Sequence, residues 1–384
     1  MKWMIPINNL DAIQLRILDE IVENSEVTHW VSGYAGSGKT IVIAHAIERI
    51  VRKSRSSKIC FLTYTHALKD LVHSGLSDTA KTKVVIQTID AFSATRYKFD
   101  FILVDEIQDI KEADIARIFN RAKYIIAAGD PEQSIYLGRV DPNELKKLLG
   151  GAKKHTLKHI NGLSLKTFQM ATEILPTAKY IAGANLHGLG ENAKVIIDTN
   201  KKTEFLKVYK EATRISAVEQ PCAILFPMHG QIYEFAKTIA NDNGWGIPPE
   251  KVERGRITDY TDFNDFFELH DSPLRFLGSN NGSLPESDDS KIIYLMTYHS
   301  AKGLHFNNVF LPDLTSEVNL DAKWAHFSKE EHERRHFFVA LTRCIENLYL
   351  SYHGQPHYLF EELPKECLQD FTPPRTSLFN KTKN

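Results

Sequence analysis

Residues 31–40 read VSGYAGSGKT, and the rest of the chain is organised around them. From Gly33 to Thr40 the spacing is G-x-x-x-x-G-K-[ST], that of a phosphate-binding loop. Glycines let the chain turn tightly, so that backbone N–H groups from Gly33 through Ala35, Gly36, Ser37 and Gly38 converge on phosphate oxygens. Lys39 then reaches the β- and γ-phosphates, and the Thr40 hydroxyl is placed to hold Mg²⁺. THWVS before the loop is β-rich, and TIVIAHAIERIV after it carries apolar residues at helical spacing. The loop therefore sits between a strand and a helix, where a helix N-terminus adds to the anion site. A chance glycine-rich turn would have neither flank. This stretch reads as a nucleoside triphosphate site.

Working outward, 384 residues are enough for two domains with proper cores. A hydrophobic share of 42% and a charged share of 25% are those of a water-soluble globular chain. Lys plus Arg (47) and Asp plus Glu (48) nearly cancel, so no global basic field draws the chain to nucleic acid or membrane. A local basic groove is compatible with that balance. MKWMIPINNLD does not read as a signal peptide, and no apolar stretch approaches the length of a membrane span. Cys60, Cys222, Cys344 and Cys367 are scattered without metal-ligand spacing and read as reduced thiols of a cytoplasmic protein.

LDAIQLRILDEIV (10–22) has helical spacing with Asp11 at its start. KICFLTYT (58–65), KVVIQTI (83–89), FDFILVDE (99–106) and AKYIIAAGD (122–130) read as strands, with a helix from about His66 to Val72. RKSRSSK (52–58) reads as a solvated loop. Near-continuous apolar strands alternating with helices predict an α/β fold with a parallel sheet covered on both faces. Ligands of such sheets sit at the carboxyl ends of the strands, where the Gly33 loop, Asp105, Glu106 and Asp130 all fall. LGGAKKHT (149–156) reads as a boundary, giving domains at 1–150 and 151–372 and a disordered tail at 373–384. PCAILFPM (221–228), SKIIYLMTYH (290–299), NNVFLPDL (307–314) and ENLYLSYH (346–353) read as strands of a second α/β layer. Residues 241–290 read as loop-rich.

Asp105 and Glu106 close an apolar strand, as a second element of a phosphate-loop NTPase should. The aspartate holds Mg²⁺ and the glutamate orients and deprotonates the attacking water. VDEIQD (104–109) and GDPEQSIY (129–136) resemble motifs II and III of the UvrD/Rep-like superfamily 1 helicases. LMTYHSAKGLHFNNVF (295–310) is similar to their motif V, and EEHERRHFFVALTR (330–343) to motif VI. TYTHALKDLV (63–72) is similar to motif Ia, and LDAIQ (10–14) to the glutamine motif. The likeness covers most of the chain in the family's order.

The resemblance implies two RecA-like domains with parallel sheets and an ATP site in the cleft between them. It implies that Gln14 contacts adenine, Gln133 senses the γ-phosphate, and Arg343 enters from the second domain as an arginine finger. Tyr64, Thr65, His66, Tyr136 and His299 would line a single-strand path. Stacking suits that path because every base offers a π-face, at roughly 1–3 kcal/mol per base. For Tyr64 and Tyr136 an ordinary structural tyrosine is the alternative. The activity implied is an ATP- and Mg²⁺-dependent translocase on single-stranded DNA, 3′→5′ by family, with RNA not excluded.

Departures from the family pattern are plain. LKHINGLSLKT (157–167) stands where motif IV should be, with neither its arginine nor its aromatic residue. The family's GLEF is GLHF, so His305 replaces an acidic nucleotide contact. Leu137-Gly138-Arg139 thin the stacking platform after motif III. Only 66 positions lead from Lys39 to Asp105, where the family inserts a subdomain, and the stretch 164–292 is largely needed for the second core. The expectation is a stripped motor, lacking most accessory insertions. The competing reading is an ATP-regulated subunit of a larger assembly, for instance beside a nuclease.

Overall fold

The computed structural model describes residues 5–94, 96–130, 134, 140–176, 185–186, 188–217, 220, 222–254, 257–278, 282, 291–320 and 329–374. Gln133, Tyr136, the 137–139 stretch and most of the tail from 373 lie outside them.

The chain opens with α1 (Ala12–Glu23). Its start is set by Asp11, whose carboxylate accepts from the amides of Ile13 and Gln14 at 2.8 and 2.9 Å. Gln14 returns the bond by accepting from the Asp11 amide at 3.1 Å, so two otherwise orphaned donors of the first turn are satisfied reciprocally. There follow β1 (His29–Gly33), α2 (Lys39–Lys53), β2 (Ile59–Thr63), α3 (His66–Gly75), α4 (Asp78–Lys83) and β3 (Val84–Thr88). Next come α5 (Ile89–Ser93), β4 (Phe99–Val104), α6 (Glu112–Arg121), β5 (Ala122–Ala128), α7 (Pro142–Leu148) and β6 (Lys153–Leu157). The six strands form one parallel sheet in the order β3-β2-β4-β5-β1-β6.

Alternation along these strands sorts side chains to two faces. Val31, Phe61, Leu103 and Ile126 pack with Ile17 of α1, Ile43 and Ile47 of α2 and Leu68 of α3. Trp30, Leu62, Ile102 and Ala127 pack on the other side with Phe92 of α5, Ile115 and Ile118 of α6 and Leu145 of α7. Both faces are thus covered, which is why β2 is buried along its whole length.

The break expected at 149–156 is displaced. Lys153–Leu157 pair in parallel with His29–Gly33, so the first sheet runs to Leu157. KKHTL disguises a strand as a basic connection because β6 is an edge: only His155 and Leu157 are buried.

Then come β7 (His159–Ile160), α8 (Leu165–Ile174), β8 (Asn185–Leu186), β9 (Ala193–Asp198), α9 (Lys201–Ile215), β10 (Cys222–Phe226) and α10 (His229–Asp242). A hairpin of β11 (Val252–Arg254) and β12 (Ile257–Asp259) leads to α11 (Thr261–Leu269), β13 (Leu274–Phe276), β14 (Ile293–Thr297) and β15 (Phe306–Leu311). The chain closes with α12 (Lys329–Leu341), β16 (Cys344–His353), α13 (Tyr358–Glu361) and β17 (Leu368–Asp370). Seven strands make a second parallel sheet, ordered β13-β14-β10-β15-β16-β9-β17. The 241–290 stretch expected to be mostly loop supplies α11 and β13, whose Phe263, Phe267 and Phe276 are buried in the second core.

One face of the second sheet packs on α9, α10 and α11. Its other face, with Phe168 of α8 and Phe337 of α12, joins the α1–α3 side of the first sheet in a single apolar cluster. The described elements between Lys39 and Asp105 all belong to the first sheet and its covering helices. No separate subdomain is inserted among them. Among the described residues no helix is long and apolar enough to cross a membrane. All four cysteines are buried and unpaired.

Candidate active site

The phosphate loop leaves the carboxyl end of β1 and feeds α2. Gly36 and Gly38 have φ of 77° and 84°, left-handed values that side chains resist, which turns the loop's amides inward. Lys39 is buried, and its ammonium donates to the carbonyls of Gly33 (2.8 Å) and Tyr34 (3.1 Å). Gln14 Nε2 donates to the Ser37 carbonyl at 3.2 Å, tying α1 to the loop.

Asp105 and Glu106 follow β4, two strands away. Thr40 Oγ1 donates to Asp105 Oδ2 at 2.6 Å, so the two residues expected to hold Mg²⁺ already touch. That pairing of a hydroxyl with a buried carboxylate fits the hard-oxygen ligands Mg²⁺ prefers. Glu106 takes an unusual φ of 53°, its amide donating to Asp105 Oδ1 at 3.0 Å, while Gln108 Nε2 donates to its carboxylate. Burial and the adjoining Glu106 charge push Asp105 up from the usual carboxylate range. Burial works against the Glu106 charge too, but Lys302 and Lys39 outweigh it and hold that carboxyl low.

The second sheet contributes from the loop between β14 and β15 and from the end of α12. Lys302 reaches across to Asp109, and its Nζ lies 3.9 Å from Glu106 Oε2. Arg343 is buried, donating to the carbonyls of Val339 (2.9 Å) and Leu304 (3.2 Å) and to Thr342 Oγ1 (2.9 Å). Burial lowers its pKa to about 10, with the nearby Glu106 charge pulling the other way. His305, the departure from the family's glutamate, also lines the site. Burial, then the Arg343 and Lys39 charges, lowers its pKa to about 3, so it presents a neutral imidazole. Gln14, Gly36, Ser37, Lys39, Thr40, Glu106, Lys302, His305 and Arg343 enclose one cavity of about 330 Å³.

Three further contacts hold the cleft shut, and composition gave no sign of them. Tyr34 is fully buried between Phe168 and Phe338, at ring distances of 5.3 and 5.8 Å. The Gly162 amide donates to the Gly36 carbonyl at 3.0 Å, and a Cβ on Gly162 would stand 3.0 Å from the Gly36 Cα. The stretch lacking the motif IV arginine and aromatic residue thus packs backbone to backbone on the phosphate loop. Lys302 is the third, and its charge, the one Lys, Arg, Asp or Glu in residues 295–310, was the one available signal. Lys302→Met should remove the ammonium beside fully buried Asp109, costing about 3 kcal/mol of stability in urea unfolding. Adding Asp109→Asn should recover much of that loss. Equal stability of the single variant and the parent chain would show the pair to be energetically silent.

Of the expected strand-path residues, Tyr64 and Thr65 lie between β2 and α3 and His66 opens α3, with Thr65 capping the helix through the Leu68 amide. Burial lowers the His66 pKa. His299 lies in the loop after β14, its ring 4.2 Å from that of His336, which is 4.1 Å from His332. Burial, then these neighbouring imidazoles, depress the His299 pKa well below its ordinary value. The same loop meets α3 at Gly303, where a Cβ would stand 2.8 Å from Leu68 Cδ2.

Two parallel α/β sheets, with a phosphate loop on one and a buried arginine from the other facing the same cavity, define the class of two-domain phosphate-loop NTPases. Residues 14–139 match an AAA domain, and residues 259–355 match a UvrD-like helicase C-terminal domain. The DNA helicase II of Rickettsia typhi is 32% identical over 154 residues, 35% of this chain and 22% of that protein. A protein of Acanthamoeba polyphaga mimivirus bearing the name of an ATP-dependent DNA helicase is 26% identical over 314 residues, 73% of this chain and 39% of its own length. A solved arterivirus helicase, nonstructural protein 10, aligns over 90% of this chain and 64% of its own at 14% identity, with a TM-score of 0.41. That last likeness contributes nothing to the assignment. The chain is thus similar to the UvrD/Rep-like superfamily 1 helicases in both of its sheet-forming halves, and it spans well under half the length of the curated relatives it matches.

Proposed function

We propose that the chain is an ATP-hydrolysing motor that translocates on single-stranded DNA, 3′→5′, in the cytoplasm. The observation that carries this reading is the convergence of Lys39, Glu106 and Arg343, from both sheets, on one cavity. ATP would exchange its phosphate oxygens for the Gly33 and Tyr34 carbonyls on the Lys39 ammonium, and Ala35 to Gly38 would cradle them. Thr40 and Asp105 would hold Mg²⁺, which supplies charge neutralisation on the transferring phosphoryl group. Glu106, kept ionised by its cationic neighbours, would accept the proton of the attacking water. Arg343 would stabilise the charge that develops, Gln133 would sense the γ-phosphate, and Gln14 would meet the adenine edge.

Closing and reopening of the cleft would ratchet a strand past Tyr64, Thr65, His66, Tyr136 and His299. The test is ATP turnover with and without single-stranded DNA, with single-stranded RNA as a second arm. Stimulation by DNA of about tenfold or more supports the reading, and indifference to any nucleic acid sinks it. Backbone contacts should make binding fall steeply with salt.

The uninterrupted run from Lys39 to Asp105 favours a qualification. Moving along a strand needs two domains that open and close, whereas separating a duplex also needs something to hold the fork. The isolated chain should therefore hydrolyse ATP on single strands yet unwind only short duplexes, and a partner such as a nuclease subunit should extend its range. Strand displacement on tailed duplexes of increasing length measures this. Efficient unwinding of long duplexes in a single turnover would show that no such help is needed.

A further inference from the structure

Away from the cleft, three chemistry-bearing side chains meet at the carboxyl edge of the second sheet. Glu204 lies in the first turn of α9, Asp313 two residues beyond β15, and His353 is the last residue of β16. Parallel pairing of β15 with β16, and of β16 with β9, brings these strand ends side by side. His353 stands some nine residues along β16 from the Arg343 end, about 30 Å at the rise of a strand. The cluster is therefore separate from the Thr40–Asp105 pair.

Each carboxylate has one oxygen committed to the protein. Glu204 Oε1 accepts from the Asp313 amide (2.8 Å) and Ser351 Oγ (2.6 Å). Asp313 Oδ2 accepts from Gln231 Nε2 (3.3 Å) and pairs with Lys201 Nζ (3.2 Å). The other two oxygens face His353 Nδ1, which lies 2.7 Å from Glu204 Oε2 and 3.7 Å from Asp313 Oδ1. Asp313 is fully buried, and its Oδ1 accepts no hydrogen bond. An unsatisfied buried carboxylate oxygen costs free energy of desolvation unless a cation meets it. Its backbone φ of 62°, a left-handed value, aims the side chain inward at a further conformational cost.

We propose that Glu204 Oε2, Asp313 Oδ1 and His353 Nδ1 bind one divalent transition-metal ion of the Zn²⁺ type. The three residues offer ligand atoms that all lie within 4.8 Å of one another. Metal–ligand bonds of about 2.0–2.2 Å place neighbouring ligands roughly 3–3.4 Å apart, and the 2.7 and 3.7 Å separations bracket that spacing. The ion takes the place of the proton on Nδ1, and His353, the more exposed of the three, makes the small adjustment. An imidazole nitrogen among the ligands selects Zn²⁺-like ions over Mg²⁺, which prefers oxygen alone. Lys201 opposes the ion's charge, but its ammonium also pairs with Glu234 at 3.1 Å and can remain there. The ion's work is structural, pinning α9 to β15 and β16.

The test uses the whole chain, stripped with a chelator, then titrated with Zn²⁺ or Mg²⁺ by calorimetry and thermal melting. Zn²⁺ should raise the melting temperature by several degrees, and one equivalent bound should disappear in His353→Ala, with affinity at that site lost by about 100-fold or more. Mg²⁺ should give no such shift, and ATP turnover of His353→Ala should match the parent chain. Asp313→Asn keeps a residue that tolerates the left-handed backbone and should lose the same equivalent. Circular dichroism checks that each variant folds, and His353→Gln replaces any that does not. No Zn²⁺ bound below millimolar concentration, or unchanged stoichiometry and affinity in the folded variants, overturns the proposal.

Discussion

Glu106→Gln should bind ATP as the parent chain does and hydrolyse it about 10³-fold more slowly, whereas Lys39→Ala should lose tight binding altogether. The two residues do different work in the same cavity. The Lys39 ammonium already stands among the Gly33 and Tyr34 carbonyls, where phosphate oxygens would replace them, so its removal takes away ground-state attraction. Glu106 is aimed by its left-handed backbone and by Gln108, and its carboxyl is held low by Lys302 and Lys39 after burial has pushed the other way. Gln preserves the shape and loses the proton acceptor, an effect in the range of about 10²–10⁴ for a general base. Equilibrium binding of a labelled nucleotide and single-turnover hydrolysis separate the two quantities. Near-normal turnover by Glu106→Gln would remove it from the chemistry.

Arg343→Ala should slow turnover by about 10³-fold or more, with only a modest loss of nucleotide affinity. A finger acts on charge that grows as the phosphoryl group transfers, so its loss falls on kcat more than on binding. Arg343→Lys should rescue poorly, because a point charge does not reproduce the guanidinium fork. The structure adds a control. Arg343 also donates to Val339, Leu304 and Thr342, so truncation disturbs the junction of α12 with the loop before β15. A melting curve on each variant separates that packing loss from the catalytic one. Normal hydrolysis by a folded Arg343→Ala would pass the role to another cation of the cleft, with Lys302 the first to test.

Local patterns made much of this legible in the sequence. The phosphate loop, Asp105 and Glu106 are each set by neighbours in the chain: glycines that permit left-handed turns, and an apolar strand that ends in carboxylates. Strands β2, β4, β5, β10, β14, β15 and β16 were readable because strands covered on both faces carry near-continuous apolar runs, although β15 and β16 mix in polar residues. Strand β6 was not, since an edge strand exposes alternate residues and KKHTL looks like a loop. Nor was the joining of Asp109 to Lys302, 193 positions apart, or of Tyr34 to Phe168 and Phe338. The Glu204–Asp313–His353 cluster is of the same kind, assembled from the first turn of α9 and the ends of β15 and β16, which only the parallel order of the second sheet brings together. Sequence alone determined the candidate phosphate loop, because that turn is built within one short stretch. Which charges face that loop from the second sheet, and which buried groups meet at its far edge, was decided by the tertiary structure, since pairing across long sequence separations depends on how the sheets pack and leaves no local pattern.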